Sequence, residues 1–138
     1  MKYVDASAVL RVLFQERGDR VPLVAGERVV SSRLLEVEAY RTVDRVRLSG
    51  FLDDARTARK RKELGDLLAR LDLAPIDRRV IARASDPFAV NVRALDALHV
   101  ATAELLAAAA GGEPVEFWTH DARQAEAALS RGLEVRGV

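Results

Sequence analysis

Lys2-Tyr3-Val4-Asp5-Ala6-Ser7-Ala8-Val9-Leu10-Arg11-Val12-Leu13-Phe14 contains two hydrophobic periods in succession. Lys2–Val4 reads as a short apolar strand that closes on Asp5, and Ala6–Phe14 then has helical spacing. Working outward, the same alternation recurs. Glu27–Ser31 is a second strand centred on Val29-Val30, residues 32–48 read as a helix stopped at Gly50, and residues 52–71 as another helix. Leu71–Ile76 is a weak strand and 77–84 a short helix. Residues 94–109 form a strong helix, and the Ala-rich stretch 107–112 is its glycine-stopped end. Val115–Thr119 is a strand, 121–130 a helix closed by Gly132, and Leu133–Arg136 a last strand. Alternating strands and helices predict an α/β fold, with helices on both faces of a central, mostly parallel sheet of about five strands. Ligands in such sheets sit beyond the carboxyl ends of the strands, so the residues that follow each strand are the ones to examine.

The chain has 138 residues, which is a prior for one domain spanning 1–138. Apolar residues make up 49%, enough for a packed core, while aromatics are 5%, too few for a sheet that reads bases by stacking. There is no cysteine, which excludes disulfide frameworks, thiolate zinc sites and cysteine nucleophiles. The net charge is +1, so a uniformly basic coat is excluded but a local patch is not. Residues 41–83 carry +5 and the remainder −4. Arg56-Thr57-Ala58-Arg59-Lys60-Arg61-Lys62 is the densest basic stretch, suited to a phosphate backbone or simply to a solvated helix face. No apolar run is long enough to cross a membrane, and the start of the chain lacks the apolar stretch of a signal peptide. The simplest location is the cytoplasm, with no membrane partner.

Four acids stand at informative positions. Asp5 follows the first strand and Asp121 follows the strand near 115–119. Each also suits a helix cap, and Asp121 with Gln124 matches a capping box. Asp96 lies among Leu95, Leu98, Val100 and Ala103, where a carboxylate is costly unless something compensates it, the helix dipole included. Glu38 shares a helix face with Leu35, Ala39, Thr42 and Val46, whereas Glu36 lies on a face with Arg33, Tyr40 and Val43. The more apolar face favours Glu38, although a surface pair with Arg41 at i+3 would explain it equally well and Glu36 stays an alternative. Carboxylates gathered at one sheet edge repel one another unless a cation or protons compensate. With no Cys and two His, a hard cation such as Mg²⁺ or Mn²⁺ suits the set better than zinc, and phosphodiester hydrolysis suits the cation.

The ordered segments Tyr3-Val4-Asp5-Ala6-Ser7-Ala8, Ser32-Arg33-Leu34-Leu35-Glu36-Val37-Glu38, Leu95-Asp96-Ala97-Leu98-His99-Val100-Ala101-Thr102-Ala103 and Phe117-Trp118-Thr119-His120-Asp121 resemble the PIN-domain family. They resemble in particular the VapC-type toxin ribonucleases of toxin–antitoxin pairs. The resemblance covers essentially the whole chain. It implies a three-layer α/β/α PIN-like fold and an acidic metal site of Asp5, Glu38, Asp96 and Asp121. Asp5 and Asp96 would be the most direct ligands for Mg²⁺ or Mn²⁺, and Ser7 and Thr119 hydroxyl helpers. The implied reaction is endonucleolytic cleavage of RNA by metal-activated water, leaving 5′-phosphate and 3′-hydroxyl ends. The implied partners are a second copy in a homodimer and a VapB-type antitoxin. Arg41, Arg59, Lys60, Arg61 and Lys62 are candidate RNA contacts.

His99, three residues after Asp96, reads first as a packed helix residue, and His120 as an exposed loop side chain. Trp118 and residues 9–14 read as core. A receiver domain needs a late lysine, yet none follows Lys62. A haloacid-dehalogenase-type phosphatase needs Asp-x-Asp after the first strand, yet Ala6 and Ser7 follow Asp5. A P-loop is absent. The remaining rivals are a PIN-like module that binds RNA or protein without cutting and a PIN nuclease of RNA processing outside a toxin–antitoxin pair.

Overall fold

A computed structural model describes residues 1–111 and 113–138. Its elements are β1 (Lys2–Val4), α1 (Ala6–Leu13), β2 (Val29–Ser32), α2 (Leu34–Leu48), α3 (Asp54–Leu68) and β3 (Asp72–Ala74). They continue with α4 (Arg78–Ser85), α5 (Ala94–Ala109), β4 (Glu116–Trp118), α6 (Ala122–Ser130) and β5 (Glu134–Arg136). The sheet has five strands in the order β3-β2-β1-β4-β5, and every pairing is parallel. The expected alternation is therefore present, and the sheet is wholly parallel.

Two adjustments come from hydrogen bonding. Ser32, read as the start of a helix, is the last residue of β2, paired in register with Ala74. Its hydroxyl oxygen accepts from Leu34 N–H and starts α2 from outside the helix. At the other end of the chain's longest helix, Ala109 closes α5 and Gly111 takes a left-handed φ of 64°. Gly112, read as part of that stop, lies outside the described residues.

Side-chain alternation along β1 and β4 divides the interior into two cores. Val4 packs with Ala8, Val9, Leu13, Val29, Leu35, Ala39, Val43, Leu64 and Leu68, and Trp118 lies against this cluster. Tyr3 and Phe117 point to the opposite face, among Val100, Ala103, Val115, Ala127, Ala128 and Leu133. Helices α1 to α3 thus cover one face, and α5 with α6 cover the other. This is a three-layer α/β/α arrangement. Within residues 9–14, Val9 and Leu13 are buried, and Leu10, Val12 and Phe14 pack against the core, so that run serves packing.

The chain runs outward from β1 through β2 to β3, then returns through α4 and α5 to lay β4 on the other side of β1. The direction of winding reverses between β1 and β4. That switch point opens a crevice at the carboxyl ends of these two strands, where parallel sheets place their ligands.

Candidate active site

Strand register builds the centre of the crevice. Val4 pairs with Trp118, which sets Asp5 beside Thr119. Asp5 is 4% exposed and caps α1, its Oδ1 accepting from Ala8 N–H at 2.8 Å. The Ser7 hydroxyl lies 2.8 Å from both carboxylate oxygens, and Thr119 Oγ1 lies 2.8 Å from Oδ2. Capping and site placement are therefore two uses of one carboxylate. Burial raises the Asp5 pKa, opposed by the charge of His99, the Ala8 amide and the two hydroxyls.

Thr119 is itself held in place. It is fully buried, its Oγ1 accepts from Asp121 N–H at 3.0 Å, and it lies 2.8 Å from the side-chain amide of Gln124. A hydroxyl has one proton, so an amide turned to present its NH₂ to Thr119 leaves that proton for Asp5. Gln124 is 1% exposed, and it supports the site rather than closing a capping box. Its spacing from Asp121 suggested only the cap. Asp121 does cap α6, its Oδ1 accepting from Arg123 and Gln124 N–H at 2.9 and 3.1 Å.

Asp96 stands in the first turn of α5. Its pKa is raised, first by partial burial and then by the negative charge of Asp121, with Glu38 adding to it and Arg93 and His99 opposing. Asp96 thus feels Asp121 and Glu38 directly, although the three come from α5, the loop before α6, and α2. Glu38 does not pair with Arg41, which binds Asp44 at 3.0 Å. Its Oε2 instead meets His99 Nε2 at 2.7 Å, while Glu36 pairs outward with Arg33 at 3.1 Å. The two glutamates point apart as helical phase requires, and Glu38 is the inward one.

Sequence reasoning passed over Tyr3, whose hydroxyl lies 2.8 Å from His99 Nδ1. A tyrosine in an apolar strand gives no signal of this contact until β1 and α5 are brought together. His120 is half-buried rather than a free loop side chain. Its Nδ1 donates to the Gly137 carbonyl, and its backbone N–H donates to Ser7 Oγ at 2.8 Å. Trp118 is partly buried and donates from Nε1 to Glu116 at 3.2 Å.

Gly137 closes the wall behind this loop. It has φ of 95°, and a Cβ there would stand 2.8 Å from the Thr119 carbonyl and 2.9 Å from His120 Cε1. Gly137→Ala is expected to cost about 1–3 kcal/mol through backbone strain and the displaced loop. Thermal unfolding measures this, and an unchanged Tm would mean that the C-terminal segment yields freely.

The basic stretch stands apart from this centre on α3, and most of it is already engaged. Lys60 binds the Leu13 carbonyl and Glu63, Lys62 binds Asp66, and Arg61 lies 4.7 Å over the Tyr40 ring. Among the described residues, Arg59 is exposed and takes part in no ion pair.

The donors in the crevice are carboxylate and hydroxyl oxygens. Such hard oxygen donors are of the kind that a hard divalent cation takes. Among the described residues, no three His, Asp or Glu side chains form a finished ligand cage. No helix among the described residues is long and apolar enough to cross a membrane.

Comparison with known proteins agrees with this geometry. The PIN-domain model matches residues 2–130. Ribonuclease VapC46 of Mycobacterium tuberculosis is 32% identical over 136 residues, covering 96% of this chain and 94% of that protein. The acids that follow β1 and β4, those carried by α2 and α5, and a family match that spans nearly the whole chain lead to one conclusion: the chain belongs to the PIN-domain family.

Proposed function

We propose that the protein is a VapC-like, metal-dependent endoribonuclease. The observation that supports this reading is that Asp5 and Asp121 follow neighbouring strands at the switch point, while the Asp96 pKa is raised by burial and then by the charges of Asp121 and Glu38. The similarity to a ribonuclease of the VapC type supports the same reading.

Asp5 and Asp96 are the residues best suited to hold Mg²⁺ or Mn²⁺, with Asp121 and Glu38 completing the acidic rim. When bound, the cation supplies charge neutralisation on the scissile phosphate and activation of the attacking water. The chain's own part is orientation. Ser7 and Thr119 fix both oxygens of Asp5, and Gln124 and the Asp121 amide fix Thr119. The products would be 5′-phosphate and 3′-hydroxyl ends.

Arg59 on α3 is the most available phosphate contact. Arg41 and Lys62 join it by exchanging weak exposed pairs for phosphates, and Lys60 and Arg61 by leaving the Leu13 carbonyl and the Tyr40 ring. A second copy of the chain, a VapB-type antitoxin and a cytoplasmic location complete the reading.

The test is cleavage of labelled total RNA by antitoxin-free protein with Mg²⁺ or Mn²⁺, with EDTA, and with two glutamate variants. Cleavage should vanish in EDTA. Glu38→Gln should lower the rate about 10²-fold, the scale seen when a group supporting a metal site is lost. Glu36→Gln should stay within about twofold, since surface pairs contribute little. RNA binding that persists in EDTA without any cleavage under metal would replace this reading with a non-catalytic module.

A further inference from the structure

Among the described residues, the Glu38 side chain receives no hydrogen bond from a backbone N–H, in contrast to Asp5 and Asp121. Asp5 and Asp121 are held as helix caps, and Asp96 lies in the first turn of its helix. Glu38 projects from the middle of α2, a long flexible side chain with Arg41 turned away to Asp44. What meets it is His99 on α5, with Nε2 at 2.7 Å from Oε2.

His99 is 1% exposed, and its other nitrogen is also engaged. Nδ1 lies 2.8 Å from the Tyr3 hydroxyl, and Tyr3 is fully buried. The Ser32 backbone N–H points at that same hydroxyl, at 3.1 Å. A backbone N–H can only donate, so the Tyr3 oxygen accepts there and its own proton is free for His99. The Glu38 carboxylate accepts, so Nε2 carries the hydrogen between them, and Tyr3 is placed to donate to Nδ1. Tyr3 is fixed in turn by stacking on Phe117 at 5.2 Å and 8°, with the His99 ring edge-on at 5.9 Å. Burial raises the Tyr3 pKa far above the ordinary tyrosine value, which keeps the hydroxyl protonated and able to donate.

The contacts therefore run from the β2 backbone through Tyr3 and His99 to Glu38. We propose that His99, backed by Tyr3, is a positioning residue that holds the Glu38 carboxylate at the cation site. The proposal rests on the nuclease reading for the role of Glu38. Hydrogen-bonded partners of metal-ligating groups tune affinity in this way, and their loss ordinarily costs 10–100-fold in metal affinity or activity.

The experiment uses the full-length, antitoxin-free chain with Mn²⁺ as the probe, and free Mn²⁺ is followed by electron paramagnetic resonance. Thermal unfolding is measured in EDTA, and kcat and KM on RNA are measured separately. His99→Leu removes the donor while keeping bulk. His99→Gln restores an N–H near the Nε2 position. Tyr3→Phe removes the hydroxyl that backs His99.

Mn²⁺ affinity should fall about 10–100-fold in His99→Leu, return to within about fivefold in His99→Gln, and fall about tenfold in Tyr3→Phe. In the RNA assay the loss should appear in kcat, with KM little changed. Variants that lose thermal stability but bind Mn²⁺ like the parent would make the pair a structural latch and overturn the proposal. Should His99→Leu fail to fold, unchanged Mn²⁺ affinity in Tyr3→Phe would overturn it equally. A parent protein that binds no Mn²⁺ would also overturn it. A parent that binds Mn²⁺ tightly without cutting RNA would defeat the nuclease reading alone, and the affinity series would still decide the role of His99.

Discussion

Asp5→Asn is expected to lower RNA cleavage by ~10³-fold or more while leaving the fold in place. The loss corresponds to about 4 kcal/mol of transition-state stabilisation at 1.36 kcal/mol per decade. That is the scale of several kcal/mol expected when a cation can no longer offset developing charge. The fold should survive because the local bonds survive. Asn caps a helix as well as Asp does, so the bond from Ala8 N–H to Oδ1 can persist. The Ser7 hydroxyl also keeps an acceptor. Removing a buried charge moreover relieves the desolvation that raises the Asp5 pKa. In metal-free buffer the variant should therefore unfold at the parent's temperature or above it. Single-turnover cleavage and thermal unfolding in EDTA check the two halves. Full activity in the variant would move the site elsewhere, and a collapsed Tm would reduce Asp5 to a structural cap.

The second large effect is a dependence of stability on metal and pH. Asp5 and Asp96 both have pKa values raised in the folded chain. A carboxyl raised on folding binds its proton more tightly in the native state than in the unfolded one. Its contribution therefore favours folding as pH falls through the folded pKa toward the unfolded value near ~4, and opposes folding above that interval. Metal-free protein should gain Tm from these two groups as pH is lowered from neutrality, until ordinary acid effects take over. Asp96→Asn should flatten that rise.

At pH 7, Mn²⁺ or Mg²⁺ should stabilise the parent by binding the ionised carboxylates. At about 100 times Kd the gain is about 2.7 kcal/mol, on the order of 10 °C for a chain of this size. Asp96→Asn should abolish most of that shift together with cleavage. Scanning calorimetry across pH, with and without the cation, reads all of this. A Tm that is blind to divalent cations in the parent would sink the assignment of the acidic rim as a cation site.

The alternation of apolar runs with helical stretches was enough to place every strand and helix in order, because a parallel sheet buried on both faces needs continuous apolar strands joined by crossover helices. Local rules also settled the positions of Asp5 and Asp121, since both follow strands, and the phase that separates Glu36 from Glu38, since two residues two apart on a helix face different ways. The ordered acidic segments were legible as the signature of a family for the same reason: each is a short run bound to one element.

What needed the tertiary structure are the contacts between residues far apart in the chain. Nothing in the sequence around Arg41 says that it turns to Asp44 while Glu38 crosses to His99 on another helix. Tyr3 reads as an ordinary core residue until β1 packs against α5 and its hydroxyl meets His99. Thr119 reads as the end of a strand until β4 pairs with β1 and its hydroxyl meets Asp5. Hydrogen bonds act only within about 3 Å, and a one-dimensional pattern does not encode which distant atoms come that close. Sequence periodicity therefore determined the layers and placed the candidate acids along them, and the packing of those layers decided what meets Asp5 and Glu38.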